Sequence, residues 1–454
     1  MDVSSKGLHE DHDIFDEMKR GMFNAFWNIK ERMSIGSKYF HVTTVIQTLQ
    51  LFCLPIMFQG QLHLSESMQL QLKSVLQIFA YGYIDFENEV ASVSILATTL
   101  ALIGLTAIGI ACIGYQSFLS ERPALKRTMV SGLEKTVRLS QTVLLIPFIG
   151  TLTKFIRCPA TINVCTGSTR IPIMICSSIG LALLCVLTLS NALLVMRTEV
   201  LNSKCKLVED EFTAPHGRIE FLNTGIRATL AIVLGFLPGG KLDGMMLAFW
   251  LGLLITSGVS LSGAYTYYLP FTSQKWNIFA AGCYGTYLWF AISVSVHEIV
   301  GSSTDLSSRV LFTATLPFVI ICSHSLVYFR RSSLVAPALD LIRLSQYSTE
   351  LHLRLMFLTT RSEDGVRFSG DFESNCKIAL QNFPTSAYLR LCIADICRTS
   401  KRLVFGLNLI RETRELGRLS LDLEFGLFCA NMKNVTSSES EDTESYMAYG
   451  QLMQ

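Results

Sequence analysis

Three ionisable side chains stand inside runs otherwise too apolar to carry them: His297 and Glu298 in "SVSVHEIVG", and His324 in "VIICSHSLVYF". Two chemistries are open to such groups. A His-Glu dipeptide on a helix begins the zinc-protease motif, in which a second His four residues after the first completes the metal pair. Gly301 occupies that position, so no zinc site is expected. The other chemistry is intramembrane, because ionisable groups at membrane depth are costly and face a bundle interior or a water-filled path. His297 and Glu298 fall near the outer end of their apolar run, where a solvated interfacial pair is the competing reading. His324 lies deeper, either hydrogen-bonded to a neighbouring helix or beside a pathway. A third candidate is covalent: Cys158 and Cys165 bracket the short stretch "RCPATINVC", and a disulfide there competes with two free thiols.

Nucleotide and redox chemistry find no footing. The chain has no phosphate-cradling Gly-rich loop followed by Lys, Gly282 to Gly285 is too short for a dinucleotide fingerprint, and no Cys-x-x-Cys pair exists. No catalytic, cofactor-binding or metal-ligating residue is therefore assigned, no cofactor is expected, and the chain reads as a non-enzyme. A net charge of +2 argues against nucleic acid as a partner.

The elements that must position these residues are set by composition. Of 454 residues 50% are hydrophobic and only 16% charged, against about 25% charged in soluble globular proteins. About eight stretches approach the ~20 apolar residues that cross a bilayer: 41–59, 90–117, 140–157, 172–196, 225–238, 243–264, 277–299 and 310–329. The fifth is the shortest and ends in Pro238-Gly239-Gly240, so a re-entrant hairpin with the sixth is the alternative. Residues 68–84 carry Gln69, Gln71, Lys73 and Gln77 on one side and read as an interfacial helix. Pro55, Pro147, Pro238 and Pro317 are candidate kinks. Lys and Arg concentrate in residues 1–40, in the second and fourth loops, and at Arg330-Arg331. Positive residues stay on the cytoplasmic side, so both ends are expected in the cytosol of an integral, multi-pass membrane protein. Which membrane holds it is not legible.

After residue 329 the composition changes. Residues 330–370 read as a juxtamembrane connector lying along the headgroups, 371–433 as soluble helical hairpins, and 434–454 as a disordered acidic Ser-rich tail. Leu389, Cys392, Ile393 and Ile396 follow the helical spacing i, i+3, i+4, i+7. Leu403, Leu407 and Ile410 form a second stripe, and a third helix starts near Ser420 or Asp422. Neither stripe can be buried alone, so the helices are expected to pair as helical repeats do. The expected fold is all-α: a polytopic transmembrane bundle followed by short TPR-like hairpins. Tyr388, Leu389, Leu403 and Leu407 are the expected surface for a cytosolic protein or for a second copy through the C-terminal helices.

The run "FPTSAYLRLCIADI", then a charged amphipathic helix, then "LSLDLEFGLF", resembles the half-repeat segment of the TmcB/TmcC-like membrane proteins of protozoa. The span "IPFIGTLTKFIRC", ending in a Cys with another soon after, is similar to theirs as well. The resemblance covers about residues 40–432 and implies a membrane module that in longer relatives precedes PAS and nucleotide-cyclase domains. Nothing after the half-repeats here could hold a cyclase fold, so no catalytic residue carries over. The resemblance implies a sensory or scaffolding module of a signalling protein. A transporter or channel with His324 near its pathway is the alternative.

Overall fold

The computed structural model describes residues 19–27, 37–59, 89–119, 127–157, 165, 167–195, 217–237, 244–271, 273–300, 305–335, 341–362, 365–366, 370–399 and 403–432. These residues divide into two compact units, one ending at Arg330 and the other beginning at Arg331. The interfacial helix expected at 68–84, Cys158, Pro238 and the tail 434–454 lie outside the described residues.

The first unit is a bundle of helices α1 (Ser37–Gln59), α2 (Glu89–Leu119), α3 (Arg127–Thr142), α4 (Leu145–Arg157), α5 (Arg170–Ser190), α6 (Arg218–Phe236), α7 (Gly244–Tyr268) and α8 (Gln274–Val300), with most of α9 (Asp305–Val335). Among the described residues five helices are long and apolar enough to cross a membrane: α2, α5, α6, α7 and α8. A sixth crossing results if α3 and α4, which meet at a bend of 72°, form one broken span. The chain is thus a helical integral membrane protein. In α1 the apolar part is the shorter Val42–Leu54.

The break at residues 143–144 follows from Pro147. Proline has no N–H to give the carbonyl four residues earlier, and its ring collides with that carbonyl. The span expected at 140–157, with Pro147 as a candidate kink, is therefore two helices. The fifth span also differs from expectation, beginning at Arg218 where hydropathy placed it at 225. Glu220 and Asn223 lowered the local hydropathy, yet the two are hydrogen-bonded to each other and the helix continues through them.

Small residues set the closest contacts, as is usual where helices meet in lipid. A Cβ on Gly258 of α7 would stand 2.9 Å from the Leu288 backbone of α8. The same pair of helices is tied by Ser257 Oγ and Tyr287 Oη at 2.8 Å, and by Tyr265 stacked on Tyr284 with ring centroids 4.4 Å apart. At the far end of α4, Arg157 donates to the carbonyls of Leu237 at 2.8 Å and Gly235 at 3.3 Å. A cation on the last carbonyls of α6 opposes the negative end of its dipole.

The second unit contains α10 (Gln346–Thr360), α11 (Gly370–Asn382), α12 (Ala387–Thr399), α13 (Leu403–Glu415) and a last helix α14 over 421–432. A two-stranded antiparallel hairpin, Arg361–Ser362 with Gly365–Val366, departs from the all-α expectation. The expected headgroup connector is corrected more strongly. Residues 348–355 of α10 are all buried, and Leu353 shares a core with Phe372, Cys376, Leu389, Ile393 and Ile396. Residues covered on every side of a helix belong to an interior, so this stretch of α10 is part of the unit's core.

Within that core, the expected stripe Leu389, Cys392, Ile393 and Ile396 is buried throughout. Tyr388 and Leu389 are consequently not a partner surface, being only 2% and 0% exposed. The stripe on α13 is displaced. Leu409, Ile410 and Thr413 are buried, whereas Leu407 is 44% exposed beside Val404 at 74%. The side chain of Leu403 lies outside the described residues. Ser420 begins α14, its carbonyl accepting from the N–H groups of Leu423 and Glu424 at 2.9 Å each.

Candidate functional site

The residues singled out for chemistry are spread over α8, α9 and the segment after α4, and Cys158 lies outside the described residues. His297 and Glu298 sit in the last turns of α8, their side chains outside the described residues, and His324 is exposed on α9. Cys165 is disulfide-bonded. Ten other described cysteines are thiols outside any disulfide, six of them in the bundle. Among the described residues no group of three His, Cys, Asp or Glu is placed to hold a metal ion.

The bundle instead converges on a residue that hydropathy passed over. Arg227, in the middle of α6, is wholly buried. Its Nη1 donates to the carbonyl of Gln141 at 3.2 Å, and its Nη2 to the carbonyl of Thr142 at 2.5 Å and to Oε1 of Gln50 at 2.8 Å. The two carbonyls are the last of α3, orphaned because the helix breaks there. Gln50 of α1 completes the arrangement, its Nε2 donating at 2.5 Å to the carbonyl of Val143. That carbonyl is the one Pro147 cannot serve. The broken helix thus has its free acceptors filled by two side chains from elsewhere in the chain. The negative end of the α3 dipole meets a guanidinium, the one side chain with a fixed fork of donors for several acceptors.

A polar layer extends from this point. Gln141 donates through Nε2 to Thr224 Oγ1 at 3.4 Å and accepts at Oε1 from Asn191 Nδ2. Asn191 opens a π-helical turn, Asn191–Val195, that ends α5. The carbonyls of Ala192 and Leu193 in that turn lie so near α6 that a Cβ on Gly217 would come within 2.3 and 2.4 Å of them. Two turns from Arg227, or ~10 Å along α6, Glu220 accepts from Tyr265 Oη at 3.3 Å and Asn223 Nδ2 at 3.5 Å. The buried cation and the half-buried carboxylate lie on one face of α6 without pairing directly. Between them Arg227 Nε and Asn223 Oδ1 are buried with no hydrogen-bond partner.

This arrangement joins α1, α3, α5 and α6 at the break between α3 and α4, with α7 reaching its Glu220 end. Non-helical backbone at membrane depth persists only where protein or a water-filled cavity satisfies it. Breaking the Arg227 contacts would free the two halves of the broken helix to change their angle. The signal was present in "RIEFLNTGIRATLAIVLGF", where Glu220, Asn223, Thr224 and Arg227 follow i, i+3, i+4, i+7. Comparison with protein-family models, curated proteins and solved structures finds no match.

A buried charge pair lies in the other unit. Arg354 Nε and Glu350 Oε1 are 3.4 Å apart, one turn from each other on α10 and almost fully buried. Burial pushes the Glu350 carboxyl above the ordinary carboxylate range, opposed by Arg354 and by the Tyr388 hydroxyl. Tyr388, expected at the surface, has its hydroxyl beside this carboxylate.

Proposed function

We propose that the chain is a non-enzymatic multi-pass membrane protein of a signalling type. About eight spans place both ends in the cytosol, and its C-terminal helices act as TPR-like hairpins that couple the bundle to a cytosolic partner. The observation that carries this reading is the second unit itself, which has its own core yet leaves Val404 and Leu407, one turn apart on α13, exposed together with Phe405 on the other flank of the open side. Exposed apolar groups so grouped are what a docking helix offers. The resemblance to TmcB/TmcC-like membrane modules supports the same role, as the front part of a sensor. The Lys and Arg distribution supports the orientation.

Two measurements test it. Asn434-Val435-Thr436 is an N-glycosylation acceptor, and on a cytosolic tail Asn434 carries no glycan. A glycan there places the hairpins on the other side of the membrane and ends the coupling role. Proximity labelling in cells with the doubly substituted F405D/L407D chain, normally inserted, should lose a discrete set of neighbours. A neighbour set identical to that of the unsubstituted chain refutes docking through α13.

A transport reading is favoured by a different observation, the polar layer from Glu220 to Arg227 at a broken helix. Transporters place discontinuous helices and charged side chains at mid-membrane for substrate and coupling ions. In that case the pathway is built on α6, not on His324. Ion flux into proteoliposomes that collapses in Glu220→Gln would favour transport over coupling.

A further inference from the structure

Two side chains on α6 keep hydrogen-bonding capacity that the bundle does not use. Arg227 and Asn223 are both wholly buried. Among the described residues the Nε–H of Arg227 and the Oδ1 of Asn223 have no partner, and they do not bond each other. The two residues stand one turn apart on one face of the helix. Helical side chains lean back towards the N-terminus, so the stem of Arg227 passes over the turn that carries Asn223. The amide cannot simply be reversed. Its Nδ2 faces the Glu220 carboxylate at 3.5 Å, and exchanging the two ends would set oxygen against oxygen. A donor and an acceptor therefore front one point inside the bundle, where leaving both unmet is costly.

The chemistry of the pair selects the occupant. An oxyanion grips a guanidinium by its side edge through Nε and Nη2 together. Both hydrogens of Nη2 are already given, to the Thr142 carbonyl and to Gln50 Oε1. An anion would also meet Asn223 Oδ1 with no proton between the oxygens. A metal cation suits Oδ1 but is repelled by the guanidinium. A neutral molecule that accepts one hydrogen bond and donates another serves both sides. Water is the smallest of these, and buried waters make about three hydrogen bonds to polar groups. A third partner is at hand in the Tyr284 hydroxyl, which is hydrogen-bonded to Tyr265 and lies within electrostatic range of both Arg227 and Glu220.

We infer that α6 holds an ordered water molecule, which accepts from Arg227 Nε and donates to Asn223 Oδ1. Asn223 in turn donates to Glu220. The cation and the carboxylate are thereby joined through one water and one amide. The site belongs to the bundle whether the chain couples or transports.

The test observes the Arg227 Nε–H itself, by solid-state NMR of the full ¹⁵N-labelled chain in lipid bilayers. Its resonance is the arginine Nε signal that Arg227→Lys removes. Magnetisation started on water should reach it nearly as soon as it reaches the exposed Arg411 on α13. It should arrive well before the backbone N–H of Leu230, buried within one turn of Arg227 on the same helix. Asn223→Leu, which removes the acceptor, should abolish the early transfer. Transfer no earlier than at Leu230 in the unsubstituted chain, where no folding defect intervenes, overturns the site. Early transfer that persists in Asn223→Leu overturns it as well, because Asn223 then holds nothing. A shift of the Arg227 Nε signal on exchanging chloride for phosphate, or sodium for potassium, assigns the place to an ion and overturns the water.

Discussion

Replacing Arg227 by Leu isolates what holds the broken helix. The substitution is apolar and nearly fills the stem's volume, but removes the donors of three hydrogen bonds, to Gln141 O, Thr142 O and Gln50 Oε1. Each buried acceptor left without a partner costs ~1–3 kcal/mol. Gln50 can turn its amide to serve one freed carbonyl, and measured hydrogen bonds within bilayers average only about 0.6 kcal/mol. The expected loss is therefore about 3–5 kcal/mol, the range for disrupting a buried charge arrangement. At ~2–4 °C per kcal/mol, the melting temperature should fall by about 6–20 °C. The assay is thermal unfolding of the detergent-purified chain, followed by a thiol-reactive dye on the buried Cys53. Arg227→Lys should be intermediate, since one ammonium cannot span the fork. Gln50→Leu combined with Arg227→Leu should cost less than the sum of the two, because they share one network. A melting temperature for Arg227→Leu within about 2 °C of the unsubstituted chain, or strict additivity with Gln50→Leu, would refute the latch.

Glu220→Gln should be tolerated within ~1 kcal/mol, because a glutamine oxygen still accepts from Tyr265 and Asn223; a drop as large as that of Arg227→Leu in the same assay would show that the carboxylate charge holds the bundle. In the second unit, Leu389→Ala should cost ~2–5 kcal/mol in chemical unfolding and Leu407→Ala within ~0.5 kcal/mol, and the reverse order would mean the buried face of the hairpins is misassigned. A fragment of residues 341–432 should be more stable by circular dichroism than 371–432, which lacks α10 and Leu353; equal stability would remove α10 from the core. Glu350, its folded value raised by burial, binds its proton more tightly in the folded state, so its contribution is full below the unfolded value of about 4.3 and is lost as pH rises through the raised one. Glu350→Gln should flatten that part of the stability profile of the 341–432 fragment, and an unchanged slope between pH 4.5 and 7 would assign it to other groups.

Hydropathy alone determined that this is a membrane protein, because the cost of leaving such long apolar runs in water does not depend on what they pack against. Pro147 likewise announced a kink locally, since its missing N–H is a property of the residue. The Leu389–Ile396 face was legible for a similar reason: when four apolar residues share one side of a helix, that side is buried whatever the partner. Tertiary structure decided the rest. Arg227 stood inside the expected fifth span, but its partners, Gln50 and the Gln141 carbonyl, are distant in sequence and only the packing brings them to it. The face of α13 that is covered, Leu409 and Ile410 rather than Leu407, depends on its packing against α12, since its apolar residues are spread too widely to choose a side. His324 shows the same limit. Its depth was readable, but whether it faces a path or the outside turned on Ser323 meeting Gly285, a contact between two small residues that no local pattern encodes.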